Sequence, residues 1–413
     1  MASQYPEVEQ CKNVEFVGYH DLDDKPGFKL AIQVVDERWY LYVAHLWEPG
    51  LSILDVTDPS RPELLKFLEG PENTWTIQVQ VADGKMITGL EKIGDGMPDE
   101  RCTFWGHDPA KPYDEGILIW DVADPTDPKL LGQFNTDGFG THRNYYAGGD
   151  LVHLCANMKG YKGNIYVIVD ISNPREPVEV GRWWYPGQWV GGGEKPTEPY
   201  YFHGPATVID ELAYLSYGRC GGMVVDISNP AKPKTVSQLP IGGFGSLVGV
   251  HTFLPLADDR NLAIVTTEAI LEHGQDNALF VAMADISDPA QPRFISLFPQ
   301  VVPEPGLGYS NFAQRGGKFG PHNVHHPQFS PYLAPVEDIV HLCYFNAGLR
   351  IVDISDPLLP REVGYFVPED PKVRKGLLPT ELAPQFEDVL VDKRGNAYVS
   401  DKNHGLFILK YAP

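Results

Sequence analysis

The sequence predicts an all-β chain folded as a seven-bladed β-propeller, with residues 1–413 forming one domain. Three observations carry that expectation. One eight-residue motif recurs six times, short apolar strands flank every copy, and the two chain ends read as complementary parts of one more blade.

The motif is Asp-[Val/Ile]-[Thr/Ala/Ser]-[Asp/Asn]-Pro-x-x-Pro. It starts at Asp55, Asp121, Asp170, Asp226, Asp285 and Asp353, at intervals of 66, 49, 56, 59 and 68 residues. An apolar strand precedes each copy, as in Ile165-Tyr-Val-Ile-Val, and a short strand follows, as in Glu179-Val-Gly-Arg-Trp. The Asx-Pro step stops the first strand and presets a turn. Both prolines then fall where no ladder N–H is needed. The motif therefore predicts a hairpin between the third and outermost strands of a four-stranded sheet. Two more strands before each copy, as in Glu211-Leu-Ala-Tyr-Leu-Ser-Tyr, complete a blade.

The last segment holds Glu387-Asp-Val-Leu-Val, Ala397-Tyr-Val-Ser and Gly405-Leu-Phe-Ile-Leu, then ends without a motif or outer strand. Near the N-terminus, Val14-Glu-Phe-Val-Gly-Tyr is similar to Arg361-Glu-Val-Gly-Tyr. Residues 13–20 are thus expected to complete blade seven and remove an exposed edge. On these motifs the chain resembles the LVIVD-repeat propeller family over nearly its whole length. The resemblance implies a fold much more firmly than an activity.

Composition narrows the function classes. The formal net charge of −22 disfavours nucleic acid and anionic membrane surfaces as partners. No run of about 18 apolar residues predicts a transmembrane helix. The N-terminus has no signal-peptide pattern, and five widely spaced cysteines without a CxxC fit a cytoplasmic protein. A Rossmann fingerprint, a P-loop, GxSxG and HExxH are all lacking from the sequence.

Four of thirteen histidines occupy one structural address, the start of a blade's innermost strand: His142, His203, His251 and His322. Glu387 holds that address in blade seven, and Phe28 and Trp75 mark it in blades one and two. Inner strands line the central channel, so four imidazoles should converge on the axis. They are the expected ligands of a divalent metal ion, Fe2+ before Zn2+, Mn2+ or Cu2+. The alternative is a metal-free hydrogen-bond ring between blades. The arrangement is similar, in architecture and ligand type, to the carotenoid-cleavage oxygenases and to the methanethiol oxidase and selenium-binding-protein family. No sequence motif of either group is present.

Glu268 and Glu387 are candidates to orient ligands, and Glu387 also to handle protons. Arg143 and Arg219 could clamp an anionic oxygen, and Tyr217 could donate to one. Alternation points His325 away from the axis, unless Pro327 breaks the pattern and lets His325 or His326 reach the pocket. Three long loops, 92–115, 185–202 and 299–321, are expected to roof the site with aromatics, including Trp105, Trp189, Tyr200 and Tyr201; otherwise they would contact a partner subunit in a homo-oligomer. Three functions follow. The first is a non-haem iron oxygenase acting on a small aromatic or apolar substrate. The second is a metal-dependent hydrolase or lyase. The third is a non-enzymatic interaction platform whose histidines are structural.

Overall fold

Every copy of the motif folds the same way, and its first, second and fourth positions each make a recurring hydrogen bond. The structure, a computed structural model, describes residues 5–94, 102–194 and 202–413. The first Asp of each motif accepts the N–H two residues on, as when Asp170 Oδ1 takes the Ser172 N–H at 2.7 Å. The second residue is buried, and its N–H donates to the turn between the first two strands, as Ile354 does to Asp338. The fourth residue makes a second such Asx turn, as when Asp356 Oδ1 accepts from the Leu358 N–H at 3.0 Å. Two back-to-back Asx turns end one strand and launch the next.

Apart from three short 3-10 turns, the described regular structure is all β, and the sheets follow one another as blades of a β-propeller. Four-stranded antiparallel sheets begin at Gly27–Val35, Ala206–Ile209 and Val250–Pro255, each running outward in chain order. A nine-stranded sheet contains two such runs. One starts at Val79–Ala82 and the other at Gly140–Thr141, and they join where Gly140 pairs with Glu91. In a further sheet, Ile339–Cys343, Leu349–Asp353 and Arg361–Pro368 are extended outward by Val8–Lys12. The last sheet, Phe386–Val391, Asn396–Asp401 and Gly405–Tyr411, takes Val14–His20 as its outer strand. The chain ends are therefore hydrogen-bonded to each other, as the terminal sequences anticipate.

First strands neighbour one another around the axis: Gly27–Val35 packs on both Phe386–Val391 and Val79–Ala82. Further out, a small residue in five of the outer strands meets the motif turn of the following blade. A Cβ on Gly18, Gly132 or Gly181 would lie 2.2, 2.1 and 2.1 Å from the carbonyl oxygens of Pro59, Pro174 and Pro230. Ser237 and Ser296 at the equivalent place donate to the Pro289 and Pro357 oxygens, each at 2.6 Å. The motif thus serves two joints at once, a turn within its own blade and a seat for the previous one. Among the described residues, no helix is long and apolar enough to cross a membrane.

Candidate metal centre

The imidazoles of His142, His203, His251 and His322 stand side by side, although only His251 lies within a strand: His142 follows Gly140–Thr141, His203 precedes Ala206–Ile209, and His322 lies in an irregular segment two residues before an isolated bridge at Val324. Successive ring centroids lie 4.4, 5.0 and 4.7 Å apart, and all four side chains are buried. The backbone contributes directly. His251 is the extra residue of a β-bulge between Val250 and Thr252, and Glu387 takes the same place between Phe386 and Asp388. A bulge breaks the alternation of a strand and re-aims one side chain.

Two of the rings are oriented through Nδ1. His142 Nδ1 bonds Glu91 Oε2 at 2.8 Å, and His322 Nδ1 donates to the Glu387 carbonyl at 2.7 Å. Both bonds favour the tautomer with its lone pair on Nε2, the form a metal requires. Burial pushes His203, His251 and His322 well below the ordinary imidazole value, so they stay neutral.

Glu268 enters the centre of this group from the end of the second strand of the His251 blade. Its Oε2 lies 3.4 Å from His203 Nε2 and 3.7 Å from His251 Nε2, and its Oε1 lies 3.7 Å from His322 Nε2. Donor atoms of His203, His251 and Glu268 all fall within 4.8 Å of one another. Neither Glu268 Oε2 nor His251 Nε2 has a hydrogen-bond partner among the described residues, although both are buried. Ligands held at about 2.1 Å from one ion stand about 3.0–3.4 Å from each other, close to these spacings. Imidazole and carboxylate without thiolate suit iron, manganese or zinc. Cysteine is not in the set: Cys155 Sγ donates to the Phe202 carbonyl, and burial holds the Cys343 thiol well above its ordinary value.

The group forms the floor of a chamber of about 330 Å³. Phe28, Leu46, Trp75, Ile77 and Trp105 pack together as one wall, and Leu247, Val248 and Ile270 also line the chamber. Trp105 stacks over Trp47 and meets Trp75 edge-on. Leu247 is largely exposed and marks an apolar mouth. Beside the floor, Lys318 Nζ lies 3.5 Å from Glu268 Oε1, and Lys402 Nζ lies 2.6 Å from Glu387 Oε1. Burial lowers the Lys318 ammonium against the pull of Glu268, and raises the Glu387 carboxyl against the pull of Lys402.

Several sequence expectations are corrected by these contacts. Arg143 lines the chamber but is no free clamp. Its guanidinium donates to the carbonyls of Gly204 and His251 and, at 2.7 Å, to Asn323 Oδ1, tying neighbouring inner strands together. Tyr217 is a core residue: its hydroxyl binds Gln188 and its ring stacks on Phe202 at 5.0 Å. Arg219 is half-buried in a turn and does not line the chamber. His325 points away, as expected from alternation, bonding the Ala334 carbonyl and the Val391 N–H.

The roof also differs from expectation. Trp105 and Lys318 reach the chamber from loops 92–115 and 299–321. Most of loop 299–321 instead packs outward, where Tyr309 binds Gln10 and Arg315 reaches the Asp370 carboxylate. Trp189 does not line the chamber and is about half exposed, while Tyr200 and Tyr201 lie outside the described residues. The segment carrying Leu247 and Val248, not anticipated, closes that side because Gly249 pins it against the Gly218 turn.

Glu91, Lys318 and Lys402 contact the candidate site and were missed by sequence reasoning. Glu91 had a usable signal, since Gly-Leu-Glu91 ends a second strand just as Thr-Thr-Glu268 does. The lysines had none.

Comparison with known proteins defines the class. Residues 38–67, 160–184, 208–239 and 340–367 match the LVIVD repeat, so the chain is a β-propeller carrying LVIVD repeats. No curated protein matches it in sequence. Among solved structures it is similar to U3-55K, with TM-score 0.57 and 10% identity over 98% of this chain and 99% of that one. Streptogramin B lyase is similar at TM-score 0.53 and 11% identity, over 97% and 98%. The β-propeller domain of Myceliophteria thermophila Cps50 (Swd1) is similar at 0.52 and 10%, over 99% and 100%. At such identities the likeness is one of fold.

Proposed function

We propose that this chain is a single seven-bladed propeller whose axial chamber holds one divalent metal ion and works as a non-haem metal oxygenase on a small aromatic or apolar molecule. The blade count reads the nine-stranded sheet as two blades joined at Gly140. The observation that carries the site is the Glu268 carboxylate set among three imidazole nitrogens, with unpartnered buried donors on Glu268 and His251. An empty hydrogen-bond ring would leave those atoms unsatisfied at a cost of about 1–3 kcal/mol each. His203, His251 and Glu268 form a two-histidine, one-carboxylate set, the donor pattern of ferrous oxygenases. His322, and His142 oriented by Glu91, stand beside it. Bound iron would supply oxygen activation, while the indole wall would hold substrate and exclude water.

A second reading has its own support. Burial keeps the Glu387 carboxyl raised beside His322, which suits a proton-transfer group in zinc- or manganese-dependent hydrolysis or elimination. The five cysteines are in no disulfide, and four of them are buried, which is compatible with a reducing setting. The test is metal content of purified protein by mass spectrometry, beside a His203→Ala variant. Near-stoichiometric iron lost in the variant supports the oxygenase; zinc or manganese moves the chain to the second reading. No metal in either sample, even after anaerobic reconstitution, rejects both and leaves an interaction platform.

A further inference from the structure

The charged groups around the chamber balance before any ion enters. Glu91, Glu268 and Glu387 are matched by Arg143, Lys318 and Lys402. Deeper in the channel, Lys29 and Asp388 already neutralise each other at 2.9 Å. A divalent ion among neutral imidazoles would leave two positive charges uncompensated in a dry site, and buried uncompensated charge is costly. The occupant of the cavity must therefore bring negative charge.

The geometry says where that charge would sit. Lys318 and Lys402 both line the chamber, and both ammonium groups lie near the face of Phe345, at 4.9 and 5.7 Å from its centroid. The two cations thus lie near one ring and close enough to feel each other's charge. Lys402 also lies 5.9 Å from the Trp47 ring, behind the indole wall of Trp75 and Trp105. An ion at Glu268 Oε2 would neutralise that carboxylate, and the Lys318 ammonium at Oε1 would keep donors to spare for a new anion. The lining also includes the apolar Phe28, Leu46, Ile77, Leu247, Val248 and Ile270, and Trp75 keeps a buried indole N–H without a partner among the described residues. The cavity, about 330 Å³, is at the small end of ligand pockets, which span about 300–1,000 Å³.

We propose that the chamber selects an anionic aromatic molecule of one or two rings, its carboxylate or phenolate oxygen held by Lys318 and Lys402 and its ring packed on Trp75 and Trp105. The proposal rests on the metal-site reading and names its substrate class. A neutral molecule of the same shape would leave both ammonium groups desolvated and unpaired. An acid would be drawn in by charge-assisted hydrogen bonds, the strong kind.

The test is calorimetric titration of phenylacetate and cinnamate against their amides, on protein whose metal content is measured in the same samples. In metal-loaded wild type the acids should bind at least about tenfold tighter than the amides. That preference should shrink to about twofold or less in Lys402→Met and in Lys318→Met, with metal retained. Lys402→Arg should restore most of it. Lys318 and Lys402 lie in separate segments, both outside the named strands, so each variant guards against a folding defect at the other. Amides binding as well as acids in metal-loaded protein, or a preference surviving both methionine variants, overturns the proposal and leaves the metal site standing. Lysine-dependent acid preference in protein that takes up no metal supports the anion class and rejects the metal. Neither metal nor preference rejects both.

Discussion

His251 Nε2 and Glu268 Oε2 lie 3.7 Å apart in a buried chamber, and neither has a hydrogen-bond partner among the described residues. At that distance they do not bond each other, and a buried imidazole and carboxylate left so are normally filled by water or an ion. Glu268→Gln keeps the shape but removes the charge. It should weaken metal binding by at least about tenfold, as judged from ligand-shell substitutions. Competition with a chelator of known affinity measures it; unchanged affinity would exclude Glu268 as a ligand.

Glu91 acts through His142. Its carboxylate accepts from Nδ1 at 2.8 Å and sets the tautomer. Glu91→Gln should lower metal affinity by about 10- to 100-fold, the usual range for a group that orients a ligand. The same chelator titration reads the effect. If affinity holds while thermal stability falls, the bond is structural and His142 does not touch the ion.

The joints between blades make a prediction about stability. Gly181→Ala would drive a Cβ to 2.1 Å from the Pro230 oxygen, so backbone must shift. A cost of about 2 kcal/mol or more is expected for such overpacking. Ser237→Ala, at the same address, only loses a hydroxyl bond to the Pro289 carbonyl, about 1 kcal/mol. Urea unfolding of both variants tests the order.

Acid should unfold this chain readily. Burial holds His45, His153 and His325 down to about 4, and His326 and His341 down to about 3. Unfolded histidine titrates near 6.5. As pH falls below that value, the unfolded chain takes up protons that the folded chain refuses. The stability these groups allow is therefore full above about pH 6.5 and lost progressively as pH drops through about 4 and 3. Each contributes roughly 1 kcal/mol of loss by pH 5.5. Melting temperature should fall steadily between pH 7 and pH 5, and the fall should be shallower in His341→Gln. A flat profile would contradict buried neutral imidazoles.

The N-terminal strands close the ring. Removing residues 5–20 strips the strands that cover Gly405–Tyr411 and Arg361–Pro368. Light scattering should then show concentration-dependent association through the bared edges. A truncated chain that stays monomeric and equally stable would show that these pairings are dispensable.

What was legible in the sequence was local or repeated. The Asp, the Asx, the prolines and the apolar second position of each motif act within a few residues, so their turn chemistry reads directly from the chain. Alternation and repeat spacing placed His142, His203, His251 and His322 at one address. Terminal likeness placed Val14–His20 against Gly405–Tyr411. Arg143 and Tyr217 misled because their residue types suit a ligand, while their bonds go to neighbouring strands and to Gln188.

The sequence by itself determined the repeat, the strands, the ring closure and the register of four histidines, because each depends on near neighbours or on comparison between copies. Only the tertiary structure decided what surrounds those histidines. Glu268 sits among three nitrogens from three blades, Glu91 reaches His142 across 51 positions, and Lys318 and Lys402 meet beside Phe345. These groups come from bulges, strand ends and loops of different blades. Their meeting depends on how far each blade turns about the axis, a quantity that no local pattern in the chain encodes.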